Sequence, residues 1–129
     1  GAGSPTYLEV VGAKRLSRQF GEILEAANAG QPIPFVFDYE YDVPGHPLQY
    51  YCRADHYSYA RYGIPSVALS RGEHLDYHQV TDEEQYIDYP DLARVTRMVY
   101  DAAMALANAP TRPQLDAPKQ LDPHAQCTQ

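Results

Sequence analysis

Two short stretches of this chain concentrate side chains that bind metal ions or move protons. The first is Arg53-Ala54-Asp55-His56, followed by Tyr57-Ser58-Tyr59-Ala60-Arg61-Tyr62-Gly63. The second is Gly72-Glu73-His74-Leu75-Asp76-Tyr77-His78-Gln79-Val80-Thr81-Asp82, in which His74, Asp76 and His78 alternate. Zinc takes nitrogen from histidine and oxygen from carboxylate, with four ligands in structural sites and three plus water in catalytic ones. Alternate residues of an extended segment point to one side, so His74, Asp76 and His78 can share a face there. Asp55, His56 and Asp82 are further donors. The competing reading is a solvated loop whose histidines make ordinary hydrogen bonds. Asp55 beside His56 can raise the imidazole pKa for acid–base work, or it can cap a short helix, since adjacent side chains often point apart. Nucleophilic catalysis has less support. No Gly-x-Ser-x-Gly elbow or glycine-rich phosphate loop occurs, and Cys52 has only sequence-near Arg53 and His56 to activate it.

His78 follows the apolar run Ile64-Pro65-Ser66-Val67-Ala68-Leu69, which reads as a buried, central strand. Open α/β sheets build their sites just past the ends of such strands. Upstream, Tyr7-Leu8-Glu9-Val10-Val11-Gly12 reads as a short strand closed by glycine. Leu16, Phe20, Ile23, Leu24 and Ala27 recur at helical spacing, and Gly30 and Pro32 end that helix. The aromatic and β-branched segment from Pro34 to Tyr41 reads as a second strand, which makes the front a right-handed strand–helix–strand crossover. Asp55 to Tyr62 forms a short helix ended by Gly63. The polar stretch from Ser70 to Asp88 is long and irregular, a pattern that usually carries function. A last helix starts at Asp88 and Pro90, with Leu92, Val95, Val99, Ala102 and Leu106 as its buried face and Arg97 paired with Asp101 outside. From residue 111 to 129 the composition turns to Pro, Gln, Asp and Ala, a flexible tail.

The chain has 129 residues, enough for one ordinary domain. A net charge of −7 with only 10 basic residues excludes the clustered Lys and Arg that nucleic acid requires. No apolar run approaches the ~18–20 residues of a membrane span. Two cysteines, Cys52 and Cys127, cannot build a disulfide framework, and whether they pair is open. Eight of the 12 tyrosines lie from Tyr39 to Tyr77. They suit a cleft wall or a half-buried strand equally well. With three strands, one crossover and helices on either side, the fold class is α/β, and the partial sheet leaves edges and faces to be covered.

Residues 53–65, Arg-Ala-Asp-His-Tyr-Ser-Tyr-Ala-Arg-Tyr-Gly-Ile-Pro, resemble the "Arg-Ser-Asp-His … Phe … Gly-Ile-Pro" stretch of the co-catalytic zinc aminopeptidases. This exopeptidase family includes glutamate carboxypeptidase and the transferrin-receptor-like proteins. Residues 72–82 resemble the "Gly-x-His-x-Asp-Tyr-His-x-x-x-Asp" that follows in the family, and Ile87-Asp88-Tyr89 with the closing helix looks like its usual C-terminus. The resemblance covers about residues 1–110. It implies a partial mixed or parallel sheet flanked by helices, the C-terminal part of a peptidase catalytic domain, with residues 111–129 as the tail. It also implies two zinc ions in the complete enzyme, with His78 as the last metal ligand. Tyr77 matches a position where some members steady the oxyanion of the tetrahedral intermediate. Asp55 and His56 fall on the substrate side or among the groups that orient ligands, Asp82 fixes the loop that holds His78, and His74 and Asp76 shape that loop.

The family's other ligands are a His-x-Asp motif, a bridging aspartate, a Glu-Glu pair that includes the general base, and a further aspartate, and all precede the stretch matched here. Glu83-Glu84 is no substitute, because it follows His78. Ala54 replaces the usual serine, and Gln79-Val80 replaces Thr-Pro or Arg-Pro. The expectation is therefore the C-terminal segment of a zinc-dependent aminopeptidase acting on peptides. Alone it would be inactive and would bind zinc weakly or not at all. The alternative is a non-catalytic interaction module on the same fold. An exposed sheet edge would favour homo-oligomers, and the resemblance alone points to a secreted or periplasmic protein.

Overall fold

A computed structural model of the chain describes residues 3–116, 124, 126 and 127. Its elements run β1 (Tyr7–Val11), α1 (Arg18–Ala29), β2 (Val36–Asp38), α2 (His56–Ala60), β3 (Ala68–Ser70) and α3 (Tyr89–Ala107), with short 3-10 turns at Glu40–Asp42, Tyr50–Cys52 and Glu84–Tyr86. Among the described residues the three strands form one mixed sheet in the order β2-β1-β3. β1 pairs parallel with β2, Glu9 opposite Asp38, and antiparallel with β3, Glu9 opposite Ser70. The α/β class and the crossover from β1 through α1 to β2 are as the sequence predicts.

The central strand is β1, not the third one. Every residue of β1 is buried, whereas β3 is a half-buried edge. The third strand is also shorter and later than Ile64–Leu69. Pro65 has no N–H to give a ladder, and pairing begins only at Ala68. The second strand likewise contracts to Val36–Asp38, because the chain turns into a 3-10 helix at Glu40.

α1 begins where Ser17 Oγ, fully buried, accepts from Phe20 N at 3.1 Å. It ends beside the entry to β2, and there Asn28 replaces a piece of ladder. Its Nδ2 donates to Phe35 O and its Oδ1 accepts from Phe35 N, both at 2.8 Å. At α3 the Asp88 carboxylate accepts from Asp91 N at 3.0 Å, with Pro90 in the first turn. α3 packs on α1 and the sheet, but its face is turned from the expected one. Met98 (0% exposed) and Ala102 are buried and Val95 packs against them, while Leu92 and Val99 stay 52% and 41% exposed. Asp101 accepts from Gln31 Nε2 at 2.7 Å, and no Arg97–Asp101 ion pair forms among the described residues.

Strand alternation divides the core in two. Leu8 and Val10 face Leu24, Phe35, Met98 and Ala102. Val11 faces Tyr51 and Ala60 on the opposite side, where Cys52 and Cys127 also pack. Gly12 lets Tyr51 and the segment before β3 approach the end of β1. Its φ is +93°, and a Cβ there would lie 2.9 Å from both the Ser66 carbonyl and the Tyr51 ring. Cys52 and Cys127, left open by the sequence, form a disulfide across 75 positions. Residues 111–116 return to the start of α1, where Asp116 Oδ2 accepts from Arg18 N at 2.5 Å and Gln19 Oε1 accepts from Gln114 N at 2.9 Å. The remaining part of the expected tail, 117–123, 125, 128 and 129, lies outside the described residues. No helix among the described residues is long and apolar enough to cross a membrane.

Candidate functional site

On the sheet face away from α1 and α3 lies a cleft of about 250 Å³. Glu9 and Ser70 form its floor, Tyr50 and His56 one wall, and Glu73 and Tyr77 the other. The register explains the floor, since Glu9 and Ser70 sit opposite one another on β1 and β3. Tyr50 OH closes one end by donating to Glu73 Oε1 at 2.9 Å, and the Arg53 guanidinium stands 5.4 Å from the Tyr50 ring centre. The bond to Glu73 is the main reason the Tyr50 hydroxyl is pushed up to about 12.

His56 and Tyr77, from the two separate motifs, thus meet on one cleft. The His56 ring hydrogen-bonds the Tyr51 backbone and lies 5.6 Å from the Tyr51 ring, and burial lowers its pKa. Its Nε2 is buried without a hydrogen-bond partner among the described residues. Asp55 does not join it. It stands exposed at the cap position just before α2, and its side chain makes no capping bond because its backbone is already helical (φ −58°, ψ −28°). The cap expected of Asp55 is therefore not made.

The stretch that follows β3 is anchored at its root. Arg71 Nε meets Asp91 Oδ2 on α3 at 2.6 Å, and Arg71 Nη2 donates to the Ser4 carbonyl at 3.0 Å. Beyond Gly72 (φ +91°) the chain is a series of turns and not the extended segment that would place His74, Asp76 and His78 on one side. Tyr77 N bonds His74 O, Gln79 N bonds Asp76 O, and Asp82 N bonds Gln79 O, at 3.0, 2.8 and 3.2 Å. Thr81 Oγ1 donates to Asp76 Oδ1 at 2.6 Å, and His74 Nε2 lies 3.9 Å from Asp82 Oδ2. His78 is exposed with φ +61°, a backbone state that non-glycine residues adopt rarely and that collects at functional turns. Its ring lies 4.0 Å from that of Tyr77, which is 47% exposed. Among the described residues, no three His, Cys, Asp or Glu side chains stand close enough to hold a metal ion.

The sequence reading missed Glu9. It is 6% exposed in the middle of the central strand, next to Asp38 across the ladder, with the Tyr7 hydroxyl in hydrogen-bonding reach of both carboxylates. Burial, then the charges of Asp38 and Glu73, raise the Glu9 pKa above its ordinary 4.5, and burial first of all pushes Tyr7 to about 12. The signal was a lone acid inside Tyr-Leu-Glu-Val-Val, a stretch read only as a short strand closed by glycine. A raised carboxyl pKa favours the protonated folded state, so this contribution to stability is full below 4.5 and is lost as pH rises through the raised value. Glu9→Gln should thus flatten the fall in unfolding free energy above pH 4.5. It should add about 1 kcal/mol at pH 7, read by urea titration at several pH values. A variant that is less stable at pH 7 would show that the ionised carboxylate is needed.

No curated protein and no solved structure matches this chain. A family model does, that of Peptidase family M28, over residues 15–103. The match takes in α1, the sheet edges, both walls of the cleft and the stretch carrying Tyr77 and His78. With about two-thirds of its length matched, the chain belongs to peptidase family M28.

Proposed function

We propose that this chain is the C-terminal segment of a zinc-dependent aminopeptidase that hydrolyses N-terminal peptide bonds. The observation that carries the reading is the family match running through both motifs, with His56 and Tyr77 on one cleft. In this reading Tyr77 donates its hydroxyl to the oxyanion of the tetrahedral intermediate, in a site that excludes water once the cleft is covered. His56, its pKa lowered by burial, orients substrate or neighbouring ligands. Asp55 and Asp82 act from the periphery, and Asp82 steadies the turn through His74. His78 serves as a metal ligand.

The described residues alone do not fit a two-zinc centre. His78 belongs to no group of three such donors among the described residues, so no step of the reaction is assigned to a metal here. The donors it lacks would come from an upstream segment carrying His-x-Asp and Glu-Glu. The outer edge of β3, unpaired among the described residues, and the exposed face of α3 suit such a segment, or a second copy of the chain.

The test is to sequence upstream in the gene and express the longer polypeptide. It should carry both motifs and release p-nitroaniline from aminoacyl p-nitroanilides at least about 10⁶-fold faster than buffer, and lose this with a chelator. The 129-residue chain should release none above background. A longer polypeptide without those motifs and without activity would make the protein an interaction module on a peptidase fold.

A further inference from the structure

We propose that the Cys52–Cys127 disulfide is a redox-sensitive strap that holds the Tyr50–Ala60 wall of the cleft in place. That wall consists of a three-residue 3-10 turn and the five-residue α2. Its backbone bonds are mostly local. Cys52 N reaches Gln49 O, Arg53 N reaches Tyr50 O, and Tyr57 N reaches Ala54 O, at 2.9, 3.3 and 3.0 Å. Such bonds shape the wall and do not attach it to the sheet. Two side-chain bonds do attach it: Ser66 Oγ to His56 O, and Tyr50 OH to Glu73 Oε1, both at 2.9 Å. The buried Tyr51 ring and Ala60 are its apolar anchors.

The disulfide adds a covalent tie at Cys52, between the cleft-lining residues Tyr50 and Arg53. Its partner comes from the far end of the chain, and both sulfurs sit at the margin of the Val11, Tyr51 and Ala60 cluster. Each cysteine is only half-buried, so a small dithiol can reach the bond. A thiolate of the dithiol attacks one sulfur, the S–S bond breaks, and a mixed disulfide forms. The second thiol of the reductant then displaces the protein sulfur. The reductant leaves as a cyclic disulfide, and two electrons and two protons end on Cys52 and Cys127 as thiols. With the bond open, what holds the wall among the described residues is the Tyr51 and Ala60 anchors, the Arg15 guanidinium over the Tyr51 ring and the two side-chain bonds, none of them covalent. An element this short and this lightly attached belongs to the part of a fold that opens first. The strap acts on the cleft whatever the cleft binds.

Hydrogen–deuterium exchange with mass spectrometry tests this on the 129-residue chain, before and after dithiothreitol and in Cys127→Ser. The air-oxidised chain should weigh about 2 Da less than the reduced one. Peptides over residues 50–60 should exchange at least about tenfold faster after reduction and in the variant, with β1 changing less than about twofold. Equal protection of the wall in both states would overturn the strap. So would a parallel rise in β1, which would mark a general stabiliser, or an oxidised chain with two free thiols.

Discussion

Met98→Ala is expected to lower the unfolding free energy by about 3 kcal/mol, within the range measured for emptying a buried methionine site. Met98 is completely buried where α3 meets the sheet, in the cluster of Leu8, Val10, Leu24 and Ala102. Truncation removes most of a long side chain and leaves a cavity that helix and strand, each tied at its ends, can close only in part. A domain of this size has roughly 5–15 kcal/mol in all, so the loss is a large share. In urea, with a slope of about 1.5 kcal/mol/M, the midpoint should fall by about 2 M. Leu92→Ala, on the exposed side of the same helix, should cost no more than about 0.5 kcal/mol. Equal losses at the two positions would mean that α3 docks by the face its spacing first suggested.

That comparison also shows where sequence pattern stops informing. α3 carries apolar residues around much of its circumference, Leu92, Val95, Met98, Val99, Tyr100, Ala102 and Met104 among them. Two stripes are therefore available, and only the shape of the sheet selects the one centred on Met98. Where one stripe stood alone, as on α1, period and the stop at Gly30 sufficed to find the helix. The β1–α1–β2 crossover was legible for the same reason. The place of β1 in the sheet was not, because the apolar run before Ser70 read as the buried, central strand. Glu9 is tolerated inside through the Tyr7 hydroxyl and its raised pKa, which are tertiary facts.

At the site, the two motifs were legible as residue types in fixed order, and their meeting on one cleft follows from β3 lying beside β1. Geometry within the second motif was not legible. Alternation of His74, Asp76 and His78 looks the same in an extended strand and in successive turns, and the local bonds of Asp76 and His74 choose the turns. Asp55 has an equivalent history. Its type suits a cap, but its helical backbone removes the geometry a cap needs. The disulfide could not be read from two cysteines alone, since pairing depends on the chain end returning to Cys52.

In the longer polypeptide proposed above, if it is active, substitution should distinguish two neighbouring roles that a shared turn places 4.0 Å apart, ring to ring. His78→Asn should lower kcat/KM by at least about 10³, more than the 10–100-fold typical of groups that only support a ligand. Asparagine is the right substitute because it tolerates a positive φ, so the turn at φ +61° keeps its shape and only the imidazole is lost. Tyr77→Phe should instead lower kcat by about 10² and leave KM within about twofold, because an oxyanion donor acts in the transition state and not on bound substrate. The phenyl ring keeps its contact with His78, so the turn is undisturbed. If His78→Asn retained activity within about tenfold, His78 would be a turn residue and the ligand role would pass elsewhere. If Tyr77→Phe raised KM with kcat intact, Tyr77 would bind substrate rather than steady the oxyanion, which its place on the cleft beside Glu73 equally permits.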